Sequence, residues 1–248
     1  MFHEWVNEKN IKCFDINEFH NDKELGDGNL GKAYYANKNS GTRSYMLKCV
    51  NTNDIIVKDL IKDLETRRKF NAHINVLKFY GVVKFEPENE RCYLVMEYAD
   101  SGTLRQYLKA RFEGLTWEDK NHLAIQLVSV VSDLHDEEIV HGYLNPNTIL
   151  VHQNTMFKVN VTSQPDKKSD VYSVGVLLWE ISSGKPPFGD DCSVGLAMQI
   201  ISGVREEVIP NTPTYYSELY TECWDDEPDK RPSMSDVVKR ILMGGRQS

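Results

Sequence analysis

Three glycines near the start of the chain have the spacing of a loop that binds phosphate groups. Residues 26–31 read GDGNLG, which matches the pattern G-x-G-x-x-G at Gly26, Gly28 and Gly31. Glycine has no side chain, so backbone N–H groups in such a loop can approach anionic oxygens closely. The pattern alone is more often an ordinary turn. Here strand candidates lie on both sides and no helix follows, which favours a loop that folds over phosphates rather than a dinucleotide-binding fold.

The segments around this motif predict a strand-rich first part of the chain. Residues 34–36 and 45–50 are strand candidates separated by a turn signal that contains glycine. Apolar residues at helical spacing predict a helix over 55–70. Two further strands are predicted over 76–83 and 91–97. We therefore expect a β-meander with one main helix.

The second part of the chain is predicted to be mainly helical. Thr116 and Asp119 resemble a capping box ahead of an amphipathic segment, and residues 170–181 are apolar nearly all round, which indicates a buried central helix. Residues 1–20 are polar with scattered aromatics and are predicted to pack on the domain as a short helical extension. Strands first and helices second indicate an α+β fold with a hinge near Tyr98.

Composition and charge narrow the class of protein. The 248 residues are 40% hydrophobic and 27% charged, as expected of a folded domain with a sizeable core. The net charge of −8 argues against nonspecific binding of nucleic acid or of an anionic membrane. Five widely spaced cysteines without a C-x-x-C pair argue against a disulfide framework or a zinc site. With no secretory signal and no membrane-spanning stretch, a cytoplasmic or nuclear location is expected.

The most specific motifs lie in the second half of the chain. Residues 170–180 read DVYSVGVLLWE, residues 184–188 read GKPPF, and residues 223–233 follow C-W-x-x-x-P-x-x-R-P-S. Together with GDGNLG and the strand YMLK that ends at Lys48, these motifs closely resemble the eukaryotic protein kinase domain, in particular its tyrosine-kinase-like group. The resemblance covers about residues 23–243, nearly the whole chain.

The resemblance implies a two-lobed fold. A single protein-kinase-like domain over 21–248 would follow the N-terminal extension over 1–20. A small β-rich N-lobe with one main helix would span about 21–97, and a larger α-helical C-lobe about 98–243.

The resemblance also implies an ATP site. The glycine motif would cover the phosphates, and Lys48 would contact the α- and β-phosphates and pair with an acidic residue of the next helix. Alignment places Asp63 in that acidic position, one methylene shorter than the usual Glu, with Glu65 as an alternative about 200° round the helix. Five further positions would surround the adenine: Ala33 over it, Met96 as gatekeeper, Glu97 and Ala99 through their backbone, and Leu150 as its floor.

The catalytic side chains of the family are missing. Where kinases read H-R-D-L-x-x-x-N, residues 141–148 read HGYLNPNT. Tyr143 replaces the catalytic Asp, Asn145 the Lys that balances charge at the transferred phosphate, and Thr148 the metal-binding Asn. Val161 replaces the Asp that holds Mg²⁺ and cannot bind a hard cation. We therefore expect no metal site.

The segment after Val161 is also shorter than in active kinases. Only nine residues lead from Val161 to Asp170, where an activation segment takes several times that length, so no peptide platform remains. Arg231 loses the Glu with which it would normally pair, and Arg67 replaces an apolar residue in the helix position that feeds the hydrophobic column of an active kinase. A gap in the gene model would explain the shortening but not the substitutions outside it.

The leading interpretation is a pseudokinase that acts in signal transduction as a scaffold or regulatory binding module for a protein partner. It would hold ATP without Mg²⁺ through the glycine loop and Lys48. Loss of a general base alone typically costs ~10²–10⁴ in rate. The alternative is an ATP-dependent Ser/Thr or Tyr kinase with atypical catalytic residues, for which Asp100 and Asp166 are the candidate carboxylates. A third interpretation is a truncated paralogue that folds poorly.

Overall fold

The computed structural model of the protein has two compact units, Met1–Tyr98 and Ala99–Ser248. It describes residues 2–28, 31–39, 41–51, 54–83, 91–153, 156–159, 166–189 and 193–245. Strands dominate the first unit and helices dominate the second, which confirms the predicted α+β fold.

The first unit is built on a six-stranded sheet with the order β1-β5-β6-β4-β3-β2. Its strands are β1 (Cys13–Phe14), β2 (Phe19–Gly28), β3 (Gly31–Lys38), β4 (Ser44–Asn51), β5 (Phe79–Val83) and β6 (Arg91–Glu97). The pairing of β1 with β5 is parallel, and the other pairs are antiparallel. Two helices accompany the sheet, α1 (Phe2–Glu8) and α2 (Asp54–Lys69). One core cluster of buried side chains joins the strands: Phe14, Phe19, Ala36, Leu47, Val83 and Val95.

The prediction of a strand over 76–83 was wrong at its beginning, because β5 starts at Phe79. Val76 and Leu77 are almost completely buried but lie outside the strand, Val76 as an isolated bridge residue, so they produce an apolar pattern without extending β5. The Asn71 side chain fixes the start of the strand. The Phe79 N–H donates to Oδ1 of Asn71 at 2.9 Å, and Nδ2 of Asn71 donates to the Phe79 carbonyl oxygen at 3.2 Å.

Helix α1 packs against helix α2. Phe2, Trp5 and Val6 are buried, and the indole of Trp5 donates to Glu65 with an Nε1–Oε1 distance of 3.1 Å. The sequence predicts a short helical extension in this region, and the structure shows that its apolar residues are part of the core of the unit.

The second unit is organised around one central helix. Its helices are α3 (Leu104–Arg111), α4 (Trp117–Asp136), α5 (Lys167–Ser183), α6 (Val194–Ile201), α7 (Thr214–Cys223) and α8 (Met234–Gly244), and its strands β7 (Ile149–His152) and β8 (Met156–Val159) form a hairpin. The predicted capping box is confirmed, since the side chains of Thr116 and Asp119 cap α4 reciprocally. Helix α5 packs tightly on α7, because a Cβ at Gly175 would lie 2.8 Å from that of Cys223. No helix in the described ranges is long and apolar enough to cross a membrane.

Candidate functional site

The three glycines of the motif lie at the end of β2 and the start of β3. Gly28 is paired with Gly31 across the two strands, and Gly26 is paired with Ala33. Gly26 has a φ of +131°, which residues with a side chain rarely adopt, although a Cβ there would meet no atom within 4 Å. Backbone conformation, rather than lack of space, therefore requires glycine at position 26. Residues 29–30 lie outside the described part of the chain.

Lys48 lies in β4, directly opposite Ala33 of β3, and is half-buried. Burial lowers the pKa of Lys48 to about 8, and the positive charge of Arg67 adds to this effect. The negative charge of Asp63 acts in the opposite direction and less strongly. The surroundings of Lys48 therefore do not fully compensate its charge.

Helix α2 directs its two candidate acidic residues to different neighbours. Glu65 accepts the hydrogen bond from Trp5 and lies 3.4 Å from the ammonium group of Lys9, so it binds the N-terminal helix. Asp63 interacts electrostatically with Lys48 and Arg67. Burial raises the pKa of the Asp63 carboxyl, and the charge of Arg67 opposes that rise. The structure favours Asp63 over Glu65 as the acidic neighbour of Lys48.

Arg67 belongs to this group, although the motifs assign it no role in binding. It follows Asp63 by one helical turn and is only 3% exposed. Its Nη1 atom is buried and has no hydrogen-bond partner among the residues that the structure describes. The sequence signal that could have identified Arg67 is its spacing of four residues from Asp63, which places both side chains on one face of α2.

The residues predicted to surround the adenine are divided between the two units. In the first unit, Met96 is 1% exposed in β6, and the N–H of Glu97 donates to the carbonyl oxygen of Lys78 at 2.9 Å. In the second unit, Ala99 is buried and Leu150 is half-buried in β7. The adenine pocket itself stays a prediction.

The loop that replaces the catalytic loop is closed by hydrogen bonds among its own substituted residues. The Asn145 side-chain amide donates to the carbonyl oxygen of Tyr143 at 3.1 Å. The Thr148 hydroxyl lies 2.9 Å from the carbonyl oxygen of Asn145 and 3.1 Å from that of Tyr143, and it accepts the Asn145 N–H at 3.1 Å. The Tyr143 side chain is 55% exposed. The polar atoms at these positions therefore maintain the shape of the loop.

Asp170 of helix α5 anchors this loop through hydrogen bonds to its backbone, a role that the motifs did not identify. It is 1% exposed at the start of α5, and its carboxylate accepts the backbone N–H groups of His141 at 2.7 Å and Gly142 at 2.8 Å. The Nε2 atom of His135 lies 3.0 Å from the same carboxylate. An acidic residue at the start of a largely apolar segment was the available signal, because a buried carboxylate must be hydrogen-bonded or paired.

The two carboxylates considered as alternative catalytic bases already have structural partners. Asp166 caps α5 and accepts hydrogen bonds from the Ser169 hydroxyl and the Lys168 N–H, which lower its pKa. Burial alone would raise the pKa of Asp100, but hydrogen bonds from the Gln153 N–H and the Ser101 hydroxyl hold it below its usual value. Both are weakened as bases.

The shortened segment around Val161 falls in residues 160–165, which lie outside the described part of the chain. Its loss of a metal-binding side chain therefore stays a conclusion from the sequence. Nearby, the Arg231 guanidinium donates to the carbonyl oxygens of Asp225 at 2.8 Å and Lys168 at 3.0 Å, and it lies over the ring of Tyr172. Main-chain oxygens thus bind the arginine that would pair with a Glu in an active kinase.

Known protein kinases are similar to this chain at low identity. The serine/threonine-protein kinase VIK of Arabidopsis thaliana is 26% identical over 273 residues, which cover 90% of this chain and 59% of that protein. Aurora kinase of Schizosaccharomyces pombe is 24% identical over 257 residues, which cover 91% and 71%. A protein of Acanthamoeba polyphaga mimivirus, described as a serine/threonine-protein kinase/receptor, is 23% identical over 249 residues, which cover 87% and 15%. The chain thus spans less than two thirds of the plant and viral proteins.

The family described as protein tyrosine and serine/threonine kinase matches nearly the whole chain. The match consists of two stretches, residues 19–162 and 160–241. They meet where the sequence predicts a shortened activation segment. The first stretch includes strands β2–β6 of the sheet and the second includes the central helix α5. On this match and the α+β architecture, the chain belongs to the protein tyrosine and serine/threonine kinase family.

Proposed function

We propose that this kinase domain is a pseudokinase, which transfers no phosphate and acts as a scaffold or regulatory binding module. The observation that carries the proposal is the closed loop formed by Tyr143, Asn145 and Thr148. Active kinases place at these positions groups that act on the substrate hydroxyl, the phosphate and the metal. Here the polar atoms of Asn145 and Thr148 are bound within the loop, and Tyr143 supplies no carboxylate.

The residues at the metal positions do not fit Mg²⁺. This ion requires an octahedral set of oxygen ligands at short distances. The Thr148 hydroxyl is bound within the loop, and Val161 offers only an apolar side chain. Because phosphoryl transfer depends on cations that neutralise the developing charge, no metal-assisted step can be derived for this domain.

The residues of the first unit at the predicted nucleotide positions are suited to binding an anion, unlike the metal positions, which do not fit Mg²⁺. The β2–β3 hairpin has glycines at Gly26, Gly28 and Gly31, and Lys48 lies one strand away. The buried guanidinium of Arg67 adds a second positive charge close to Lys48. These features support binding of ATP without Mg²⁺.

An active kinase with atypical catalytic residues is the alternative function. It needs a carboxylate with a free oxygen and a pKa suited to accepting a proton. Asp166 accepts one hydrogen bond on each carboxylate oxygen, and Asp100 accepts two on Oδ1. Both have lowered pKa values, which weaken them as bases and argue against this alternative.

An exposed apolar helix supports a role in binding a protein partner. Val194, Met198 and Ile201 of α6 are 81%, 61% and 77% exposed. Their spacing places them on one face of the helix. Contiguous exposed apolar side chains are typical of interaction surfaces. We infer a cytoplasmic signalling role of the tyrosine-kinase-like type, the group that the GKPPF motif at 184–188 resembles.

A phosphotransfer assay tests the loss of activity. Labelled ATP with Mg²⁺ or Mn²⁺ would be incubated with the wild-type chain, with Lys48→Met, and with the double variant Asp100→Asn/Asp166→Asn. We expect the same background incorporation in all three samples. Incorporation that falls in Lys48→Met would show a true kinase and overturn the proposal, and a fall in the double variant would identify its base.

A further inference from the structure

The guanidinium of Arg67 is a buried charge that is incompletely hydrogen-bonded. Its side chain is 3% exposed, and Nη1 has no hydrogen-bond partner in the described part of the chain. A buried charged group that is incompletely hydrogen-bonded is unfavourable, since most buried polar groups in folded proteins are hydrogen-bonded. A group of this kind needs a physical explanation.

The charges near Arg67 do not balance. Two cationic side chains, Lys48 and Arg67, interact with one carboxylate, that of Asp63. Burial lowers the pKa of Arg67 to about 10, and Asp63 only partly offsets this. Burial and Arg67 together lower the pKa of Lys48. When all three groups are ionised they carry one net positive charge, with Arg67 buried and Lys48 and Asp63 half-buried.

The position of this excess charge is defined by the sheet and by α2. Lys48 is opposite Ala33, and Ala33 is opposite Gly26 in the next strand, so the glycine hairpin and Lys48 occupy neighbouring strands. Asp63 and Arg67 come from one face of α2. All of these residues belong to the unit Met1–Tyr98.

We propose that Arg67 and Lys48 form an anion site that holds the polyphosphate of a nucleotide in the absence of a divalent cation. The planar guanidinium can donate two parallel hydrogen bonds to a phosphate group, and its positive charge would offset phosphate charge that metal ions offset in active kinases. This inference rests on the nucleotide binding proposed above. It assigns the charge neutralisation to a residue that the family motifs do not use.

Calorimetric titration with ATP in EDTA tests the role of Arg67. The variants are Arg67→Met and, as a matched control from the same helix, Arg68→Met, whose side chain is exposed. We expect Arg67→Met to weaken ATP binding by about ten-fold or more, and Arg68→Met to stay within about two-fold of wild type. Adenosine, which has no phosphate, should bind all three proteins equally. Equal ATP affinity in Arg67→Met and wild type would overturn the proposal.

Two further probes separate this inference from nucleotide binding in general. If ATP binds only when Mg²⁺ is added, nucleotide binding stands and the anion site is refuted. If neither ATP nor adenosine binds but inorganic tripolyphosphate raises the melting temperature in an Arg67-dependent manner, the nucleotide role fails and the anion site stands. If none of the three binds, both are refuted.

A measurement on the wild-type chain covers the case in which Arg67→Met does not fold. The guanidinium Nε–H signal of Arg67, assigned by NMR with Arg67→Lys, should shift when tripolyphosphate is added in EDTA. A signal that stays unchanged at saturating tripolyphosphate would overturn the proposal.

Discussion

The loop at 141–150 and the charged group of Lys48, Asp63 and Arg67 both depart from the kinase pattern, but they differ in how their polar atoms are satisfied. In the loop, Asn145 and Thr148 bind their own backbone neighbours. In the charged group, Arg67 keeps an unpartnered Nη1 among the described residues, and its charge lowers the pKa of Lys48.

This difference separates two ways of losing catalytic residues. A loop whose substituted side chains bind the loop's own main chain has become a structural element, and no bound molecule is needed to explain it. A group with excess buried charge is unfavourable in the empty protein, and a ligand of opposite charge would relieve it. Stability measurements can therefore distinguish the two regions.

Removal of the loop anchor should have the largest effect. Asp170→Ala leaves the N–H groups of His141 and Gly142 without their acceptor and removes the neighbour of His135. We expect unfolding to become easier by about 3–5 kcal/mol, measured by urea denaturation. Asp166→Ala, at the exposed cap of the same helix, should cost only about 1 kcal/mol. Equal losses in the two variants would contradict the anchoring role.

Removal of the Lys48 charge should stabilise the folded protein rather than destabilise it. Lys48→Met removes a cation whose pKa is lowered to about 8 by burial and by Arg67. The lowered value means that the charged form is disfavoured in the folded state, so the variant should be more stable by on the order of 2–3 kcal/mol at pH 7. Lys32→Met, in the neighbouring strand and exposed, should change stability by less than about 0.5 kcal/mol. A destabilised Lys48→Met would refute this account.

The gain in Lys48→Met should depend on pH in a defined direction. The folded-state pKa of about 8 lies below the ordinary value of 10.5, so the unfolded chain binds more protons between these values. The wild-type chain therefore becomes more stable relative to the variant as pH rises through this range. Denaturation series should show a constant difference below about pH 8 and a vanishing one above about pH 10.5. A difference that does not change with pH would exclude titration of Lys48 as its origin.

Within the loop, loss of one hydroxyl should have a moderate effect. Thr148→Val keeps the shape of the side chain but removes the bonds to Tyr143 and Asn145. We expect a cost of about 1–2 kcal/mol in chemical denaturation. Thr221→Val, which removes a single exposed hydroxyl bond within a helix, is the control and should cost less.

Restoration of the family carboxylate should have the smallest effect. The Tyr143 side chain is largely exposed, so Tyr143→Asp should change stability by less than about 0.5 kcal/mol. It should also leave phosphotransfer at background, because the metal positions remain degenerate. Activity gained from this single change would show that the metal positions are more competent than Thr148 and Val161 suggest.

The fold could be predicted largely from residue periodicity and motifs. Strand β6 has the predicted bounds Arg91–Glu97, and the helix predicted over 55–70 corresponds to α2. The start of β5 could not be predicted, because Val76 and Leu77 are buried outside the strand, Val76 as an isolated bridge residue. Periodicity reports which residues are buried and does not report which backbone groups are paired.

The candidate sites were predictable in identity but not in their interactions. The motifs identify Lys48, Asp63 and the four degenerate positions by alignment alone. They could not show that Thr148 binds Asn145, or that Nη1 of Arg67 lacks a partner, because both depend on the distances between particular atoms after folding. The anchoring role of Asp170 likewise depends on residues 28 and 29 positions earlier in the chain.

The contact between Asp170 and the loop has a consequence for how this domain can change by mutation. The carboxylate holds the loop through the main-chain N–H groups of His141 and Gly142, and Gly142 has a φ of +71° that favours glycine. The attachment is thus insensitive to the side chains at the outward positions of the loop. An exposed position such as Tyr143 can therefore change its residue type without disturbing the contact between the loop and helix α5.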